Sequence, residues 1–291
     1  MESNVTKYSA AAVVAFAIAL VLLGPFRTSN RGGIVWADVV DKVHQMRTVV
    51  HKEKYVFWEM GQEEPSLETD VMKYVSEEYG SVEHLLDDQG ALTHEVYFLR
   101  ETQQFIVVAH AEKIYIKLSM PEDIFNRAEA TLSARGLVEY FTSGQYTELG
   151  RANFDNFDVE GFETADRDVL FPIPEPLRSM FPVKNIVGRI WIDVETSLPA
   201  GVEAEFDTGR GLLTGLKKLR GEFKAYDFQW NAEIPDGTFD PNIPEDYQEL
   251  SLPGNTAIGV AASSVVLAGI APWCIFFVRR SRRRARAQRA S

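Results

Sequence analysis

The sequence predicts a mainly β (α+β) fold: a curved antiparallel sheet, or incomplete β-barrel, of about eleven strands, with covering helices and two flanking transmembrane helices. Three observations predict it. Short runs rich in Val, Ile, Tyr and Phe recur through residues 48–230, punctuated by Gly61, Gly80 and Asp88-Gln89-Gly90. Their spacing is too tight for repeated β-α-β units, which need a helix between successive strands. Two uncharged apolar segments, residues 8–26 and 257–278, bracket this middle.

The first element is that N-terminal segment, YSAAAVVAFAIALVLLGPF. As a helix rising 1.5 Å per residue it reaches about 28 Å, against a hydrocarbon core of about 30 Å. Residues 1–7 precede it and a linker, 27–35, follows. An uncleaved anchor is the preferred reading; a signal peptide cut before Asp38 is the alternative, with that site set far beyond the apolar run.

The extracytoplasmic domain is expected over residues 36–250. WADVVDKVHQM places Trp36, Val39, Val40, Val43 and Met46 at helical spacing. Six strand-like runs follow: TVVHKEKYVFWEM, LETDVMKYVS, SVEHLLD, ALTHEVYFL, QQFIVVAH and EKIYIKLS. In the last, Ile114, Ile116 and Leu118 alternate with Tyr115, Lys117 and Ser119, giving one apolar face. The pattern then turns helical over residues 121–141, opening on Pro121 and two acids, with Gly136 as a point of weakness. Strands resume as YTELGRANF and FDVEGFETA, joined at Asp155-Asn156. An irregular proline-rich loop, FPIPEPLRSMFPV, separates these from GRIWIDVE, AGVEAEFD and a last long stretch ending near Trp230.

After a linker at 251–256 comes the second apolar segment, AIGVAASSVVLAGIAPWCIFFV, which as a helix reaches about 33 Å. The tail, residues 279–291, carries Arg279, Arg280, Arg282, Arg283, Arg284, Arg286 and Arg289. Arginines directly after a span stay cytoplasmic, so the tail is a topology signal and the C-terminus is expected in the cytoplasm. With both spans crossing the inner membrane, the N-terminus is cytoplasmic as well and the main domain lies on the periplasmic side. Arg27 and Arg31 oppose this weakly. A sorting signal built on Leu252-Pro253-Gly254-Asn255-Thr256 lacks the Thr-Gly ending such signals require.

Charge narrows the partners. Residues 33–256 hold 20 basic side chains against 41 acidic ones, a net charge of about −21. That argues against nucleic acid and an anionic bilayer surface as partners of the domain. The single Cys274 rules out an intramolecular disulfide framework and any multi-cysteine zinc site.

No catalytic constellation is readable, so no enzyme and no cofactor is expected. His44, His51, His84, His94 and His110 are scattered with no metal-ligand spacing, and are read as solvated strand residues. The carboxylates, among them Glu63-Glu64, Glu77-Glu78, Asp87-Asp88, Asp166 and Asp168, read as solvated turns. Asp155-Asn156-Phe157-Asp158 lacks the order of a calcium loop. Gly209-Arg210-Gly211 reads as a hairpin turn rather than a phosphate loop. There is no Gly-x-Ser-x-Gly elbow.

GRIWIDVETSLPAGVEAEF resembles the strand-turn-strand of the periplasmic outer-membrane lipoprotein-carrier superfamily (LolA-like, including the RseB-type regulators). An aromatic strand there ends in Asp and the turn closes on Leu-Pro, here Trp191, Asp193, Leu198 and Pro199. FDNFDVEGFETA, with Gly161 and Phe162, resembles that family's preceding hairpin. FQWNAEIPDGTFDPNIPEDY, with Ile234, Pro235, Phe239 and Pro244, resembles its close. The resemblance implies an incomplete barrel whose apolar concave face, covered by helices, holds acyl chains or an apolar partner. It implies that the first helix and the helix over 121–141 form the lid, and makes Phe57, Tyr97, Phe105, Tyr115 and Trp191 candidates for the cavity; ordinary core is the other reading of each. The expected function is a membrane-anchored binding module for an apolar ligand, a lipid or lipidated partner. The alternative is an extracytoplasmic sensor of an envelope signalling system, its tail contacting a cytoplasmic partner. A diffusing shuttle is at odds with the anchors.

Overall fold

In a computed structural model the described residues are 33–250, except 88, 124, 127–128, 130–132, 171–181 and 211–217. The apolar segments 8–26 and 257–278 and the arginine tail lie outside them, as does most of the proline-rich loop. Among the described residues no helix is long and apolar enough to cross a membrane.

Helix α1 (Trp36–Gln45) opens the domain, with Asp38 in its first turn and Lys42 and His44 in its last, which suits the helix dipole. Its periodic face buries Val39 and Val43. Six strands run in succession: β1 (Thr48–Glu59), β2 (Leu67–Ser76), β3 (Gly80–Leu86), β4 (Leu92–Leu99), β5 (Gln104–Ala109) and β6 (Ile114–Ser119). Gly80 starts β3 at φ +106, and a Cβ there would stand 2.0 Å from the Phe98 carbonyl oxygen. Only glycine lets the β2–β3 turn bring the start of β3 this close to the end of β4.

The helix expected over 121–141 is two pieces. Of the described residues after Pro121, Glu122, Asp123, Phe125, Asn126 and Glu129 are helical; Ser133 is extended (φ −87, ψ 150) and caps a new helix, α2 (Ala134–Ser143). The Gly136 amide donates to Ser133 Oγ at 3.0 Å. The break therefore comes at a serine N-cap, not at Gly136. Strands β7 (Thr147–Phe154) and β8 (Phe157–Thr164) form a hairpin whose central Asp155 and Asn156 both have positive φ, as a type I′ turn requires. A single helical turn, α3 (Arg167–Leu170), follows and was not expected. Then come β9 (Val183–Asp193), β10 (Pro199–Thr208), β11 (Leu219–Trp230) and the two-residue β12 (Gln248–Glu249). Residues 209–218 join β10 to β11, so Gly209-Arg210-Gly211 opens a longer connection than a tight hairpin turn.

These make one open, curved sheet in the order β12-β6-β5-β4-β3-β2-β1-β11-β10-β9-β8-β7. It has twelve strands rather than eleven, the extra one being β12, which is too short to show an alternation. Every pairing is antiparallel except β12 with β6.

On the inner face, α1 and α2 set Val39, Val43, Val138 and Phe141 against Phe162, Ile190, Val202 and Ala225 of β8–β11. Toward the other edge Phe125 packs on Phe98, which meets Phe105. The outer face is covered differently. Phe239, Ile243 and Tyr247, from the segment after β11, lie on Val82, Tyr97, Ile106 and Val108. At the far half, Trp191 lies over Gly161, where an added Cβ would come within 2.3 Å of its ring.

Candidate ligand-binding cleft and a buried charged row

Strand register sorts the inner face of β1–β4 into rows. Val49, Val75, Ser81 and Phe98 form one, at the end where β1 begins. The next row inward is His51, Lys73, Glu83 and Val96, and the one after it Glu53, Val71, Leu85 and His94.

Val49, Val75 and Ser81 of the first row floor an open cleft of about 210 Å³. Val43 and Met46, at the end of α1, and Trp230, ending β11, complete an apolar lining. The Trp230 indole N–H donates to the Pro199 carbonyl at 3.0 Å, which fixes the ring. Arg47, Arg100 and Arg135 stand around the mouth with Glu77 and Glu129. Arg100 pairs with Glu129 at 2.6 Å. Arg135 reaches Glu77 at 3.5 Å and donates to the His44 carbonyl at 3.1 Å. Arg47 is exposed, and its guanidinium has no ion pair among the described residues.

The second and third rows hold charge where an apolar core is the norm. His51, Glu53, Lys73, Glu83 and His94 are each 5 % exposed or less. Lys73 Nζ lies 2.8 Å from Glu83 and 3.4 Å from Glu53. Glu53 also accepts from the Tyr55 hydroxyl at 2.7 Å and faces His51 Nε2 at 3.0 Å. The His51 ring stacks on Phe228 at 4.6 Å. Burial alone would raise Glu53, but Lys73 and the donors from His51 and Tyr55 hold it down, at about 2. An ionised Glu53 only accepts, so His51 carries its proton on Nε2. Its Nδ1 lone pair is buried without a partner among the described residues. Burial lowers His51 itself. Glu83 goes the other way: burial, and then the neighbouring Glu53 charge, outweigh Lys73 and push it up to about 7. Lys73 is raised, its two carboxylates overcoming the burial that would lower it.

This corrects the reading of the histidines as solvated for His51 and His94, while the turn carboxylates Glu63, Glu64, Glu77, Glu78, Asp87, Asp166 and Asp168 are exposed as expected. His51 and His94 face inward, and so do Glu53 and Glu83. In β1 the intervening Lys52 and Lys54 face outward and pair with Asp227 at 2.8 Å and Glu68 at 2.6 Å. Charge on both faces leaves HKEK without the apolar alternation that marks an inner face.

A second polar group lies on the outer face. Glu95 accepts from the Tyr97 hydroxyl at 2.7 Å and stands 3.1 Å from His110 and 3.5 Å from His84. His110 Nδ1 is 3.0 Å from the Tyr247 hydroxyl, which ties the segment after β11 to the sheet. Among the described residues no three His, Cys, Asp or Glu are arranged to hold a metal ion.

The five aromatic cavity candidates do not share a face. Phe57 and Phe105 point inward; Tyr97, Tyr115 and Trp191 point outward. Phe57 meets Phe206 edge-on at 5.9 Å, and Phe105 meets Phe98 at 4.8 Å. Tyr115 donates to Glu249 at 3.1 Å, and the Trp191 indole donates to Glu203 at 3.0 Å. None of the five lines the cleft. The residues that do were partly visible: Val43 and Met46 sit on the periodic face of WADVVDKVHQM. Val49, Val75 and Trp230 come together only through the pairing of β1 with β2 and β11.

No family model and no curated protein matches the chain. Solved structures do. The chain is similar to the lipoprotein LppX of Mycobacterium tuberculosis, at 11 % identity over 68 % of this chain and 94 % of that one, with a TM-score of 0.40. It is similar to a LolA superfamily protein of Nitrosomonas europaea, at 11 % identity, 72 % and 99 % coverage and a TM-score of 0.30. It is also similar to LprF of Mycobacterium bovis, at 13 % identity, 75 % and 98 % coverage and a TM-score of 0.33. These likenesses concern the run of the chain, not what it holds.

Proposed function

We propose that the protein is a membrane-anchored extracytoplasmic module that binds an apolar ligand, a lipid or lipidated partner, between its curved sheet and its helices. The observation that carries this is the cleft between the end of α1, the start of α2 and the inner face of β1–β3, floored by Val49 and Val75. An open apolar floor is costly in water and gains about 0.8 kcal/mol for each methylene laid on it. Residues 8–26 and 257–278 tether the module to the inner membrane, so the ligand is received or presented at the membrane rather than carried away. The test is the lipid retained by the full chain through gentle purification, identified by mass spectrometry. Val75→Phe fills the floor and is expected to remove the retained lipid while the thermal midpoint stays within a few degrees. Equal retention by the variant would sink the reading.

A further inference from the structure

The mouth of the cleft carries more positive charge than anything else about this domain would predict. With a net charge of about −21 over residues 33–256, basic side chains are outnumbered two to one. Yet three arginines from three separate segments converge there: Arg47 after α1, Arg100 after β4, and Arg135 in the first turn of α2. The carboxylates among them, Glu77 and Glu129, are already answered by Arg135 and Arg100. Among the described residues, Arg47 is the charge left over. Arg100 and Glu77 are exposed and Arg135 and Glu129 half-buried, and ion pairs open to solvent hold weakly enough to be re-made on a ligand anion. Directly inside this ring the lining turns apolar, with Met46, Val49, Val75 and Trp230. At about 210 Å³ the cleft is smaller than the roughly 300 Å³ at which drug-sized sites begin, which suits one chain and not several.

We propose that the cleft takes a single-chain anionic amphiphile, its acid group held at Arg47 and its chain laid on Met46, Val49, Val75 and Trp230. This rests on the apolar-binding reading and adds the charge and the chain number to it. The two parts separate the roles of the wall: the apolar floor supplies affinity for any chain, and Arg47 discriminates between headgroups.

Trp230 offers the readout, because bromine quenches an indole only at close range. The full chain, held in amphipol at low ionic strength and pH 8, is titrated with 11-bromoundecanoate and with 11-bromoundecanol, and Trp230→Phe identifies the signal that comes from the cleft. The carboxylate is expected to half-saturate the quenching at about tenfold lower concentration than the alcohol, as one charge-assisted contact implies. Arg47→Gln, an exposed substitution that leaves the core alone, brings the two curves together; Arg47→Lys keeps part of the gap. Equal curves for the two probes in the unaltered chain overturn the anionic preference and leave apolar binding standing. A preference that survives Arg47→Gln overturns the assignment to Arg47. Absence of Trp230 quenching by either probe overturns the apolar-binding reading itself.

Discussion

Lys73 sits between two carboxylates that it cannot satisfy equally. It lies closer to Glu83, at 2.8 Å, than to Glu53, at 3.4 Å, but Glu53 has His51 and Tyr55 as further donors. The ionised form of Glu53 is therefore the favoured one, and its charge works against ionising Glu83, at about 7. For stability the sign follows from proton binding. Between about 4.5, the ordinary glutamate value, and about 7 the folded chain holds a proton at Glu83 that the unfolded chain has lost. Stability from this group thus falls as pH rises through that window. Glu83→Gln mimics the protonated form. It is expected to match the unaltered chain at pH 5 and to exceed it by about 2 kcal/mol at pH 8.5. Denaturation followed by tryptophan fluorescence at the two pH values checks this. The same offset at both would mean that Glu83 does not titrate in this window. Glu53 and His51 act in the opposite direction, both lowered in the fold, so their contribution is lost on acidification.

Most elements were legible because their periodicities are clean. LETDVMKYVS is β2 to the residue, and YTELGRANF with FDVEGFETA gives β7 and β8 around an Asp-Asn turn. What failed needed information from more than one element. The row His51-Lys73-Glu83 is assembled from β1, β2 and β3, and nothing within any one strand shows that its charge is answered by the next. The aromatic candidates divide between the two faces of the sheet for a related reason. Their parity within a strand was readable, but which parity faces the helices depends on the register across the sheet. The break before α2 is a local signal that was passed over: Ser133, extended, accepts the Gly136 amide. Because Ser133 and Ala134 also line the cleft, the cap sets where that wall begins. Ser133→Ala is expected to cost about 1 kcal/mol of stability. Hydrogen exchange should show the loss concentrated in Ala134–Ser143, and Ser133→Asp, which retains an acceptor, should restore protection. Uniform loss across the sheet would count against a capping role.

At the scale of the whole chain, charge is segregated along the sequence. Residues 33–256 hold about −21, while seven arginines follow the apolar segment 257–278 within thirteen residues. Membrane insertion reads basic residues close to a span, and acidic ones contribute little to it. The domain's own charge is thus irrelevant to orientation, and the comparison that decides is between the seven arginines after the second segment and Arg27 with Arg31 after the first. The larger set governs, so a reporter fused after Ser291 is expected to be active only if it is a cytoplasmic type. Replacing the seven arginines by glutamine leaves Arg27 and Arg31 as the stronger signal, and the reporter should then divide between the two sides. A periplasm-only reporter active on the unaltered chain would invert the proposed topology, and with it the side of the membrane on which the proposed ligand would reach Arg47 and the cleft.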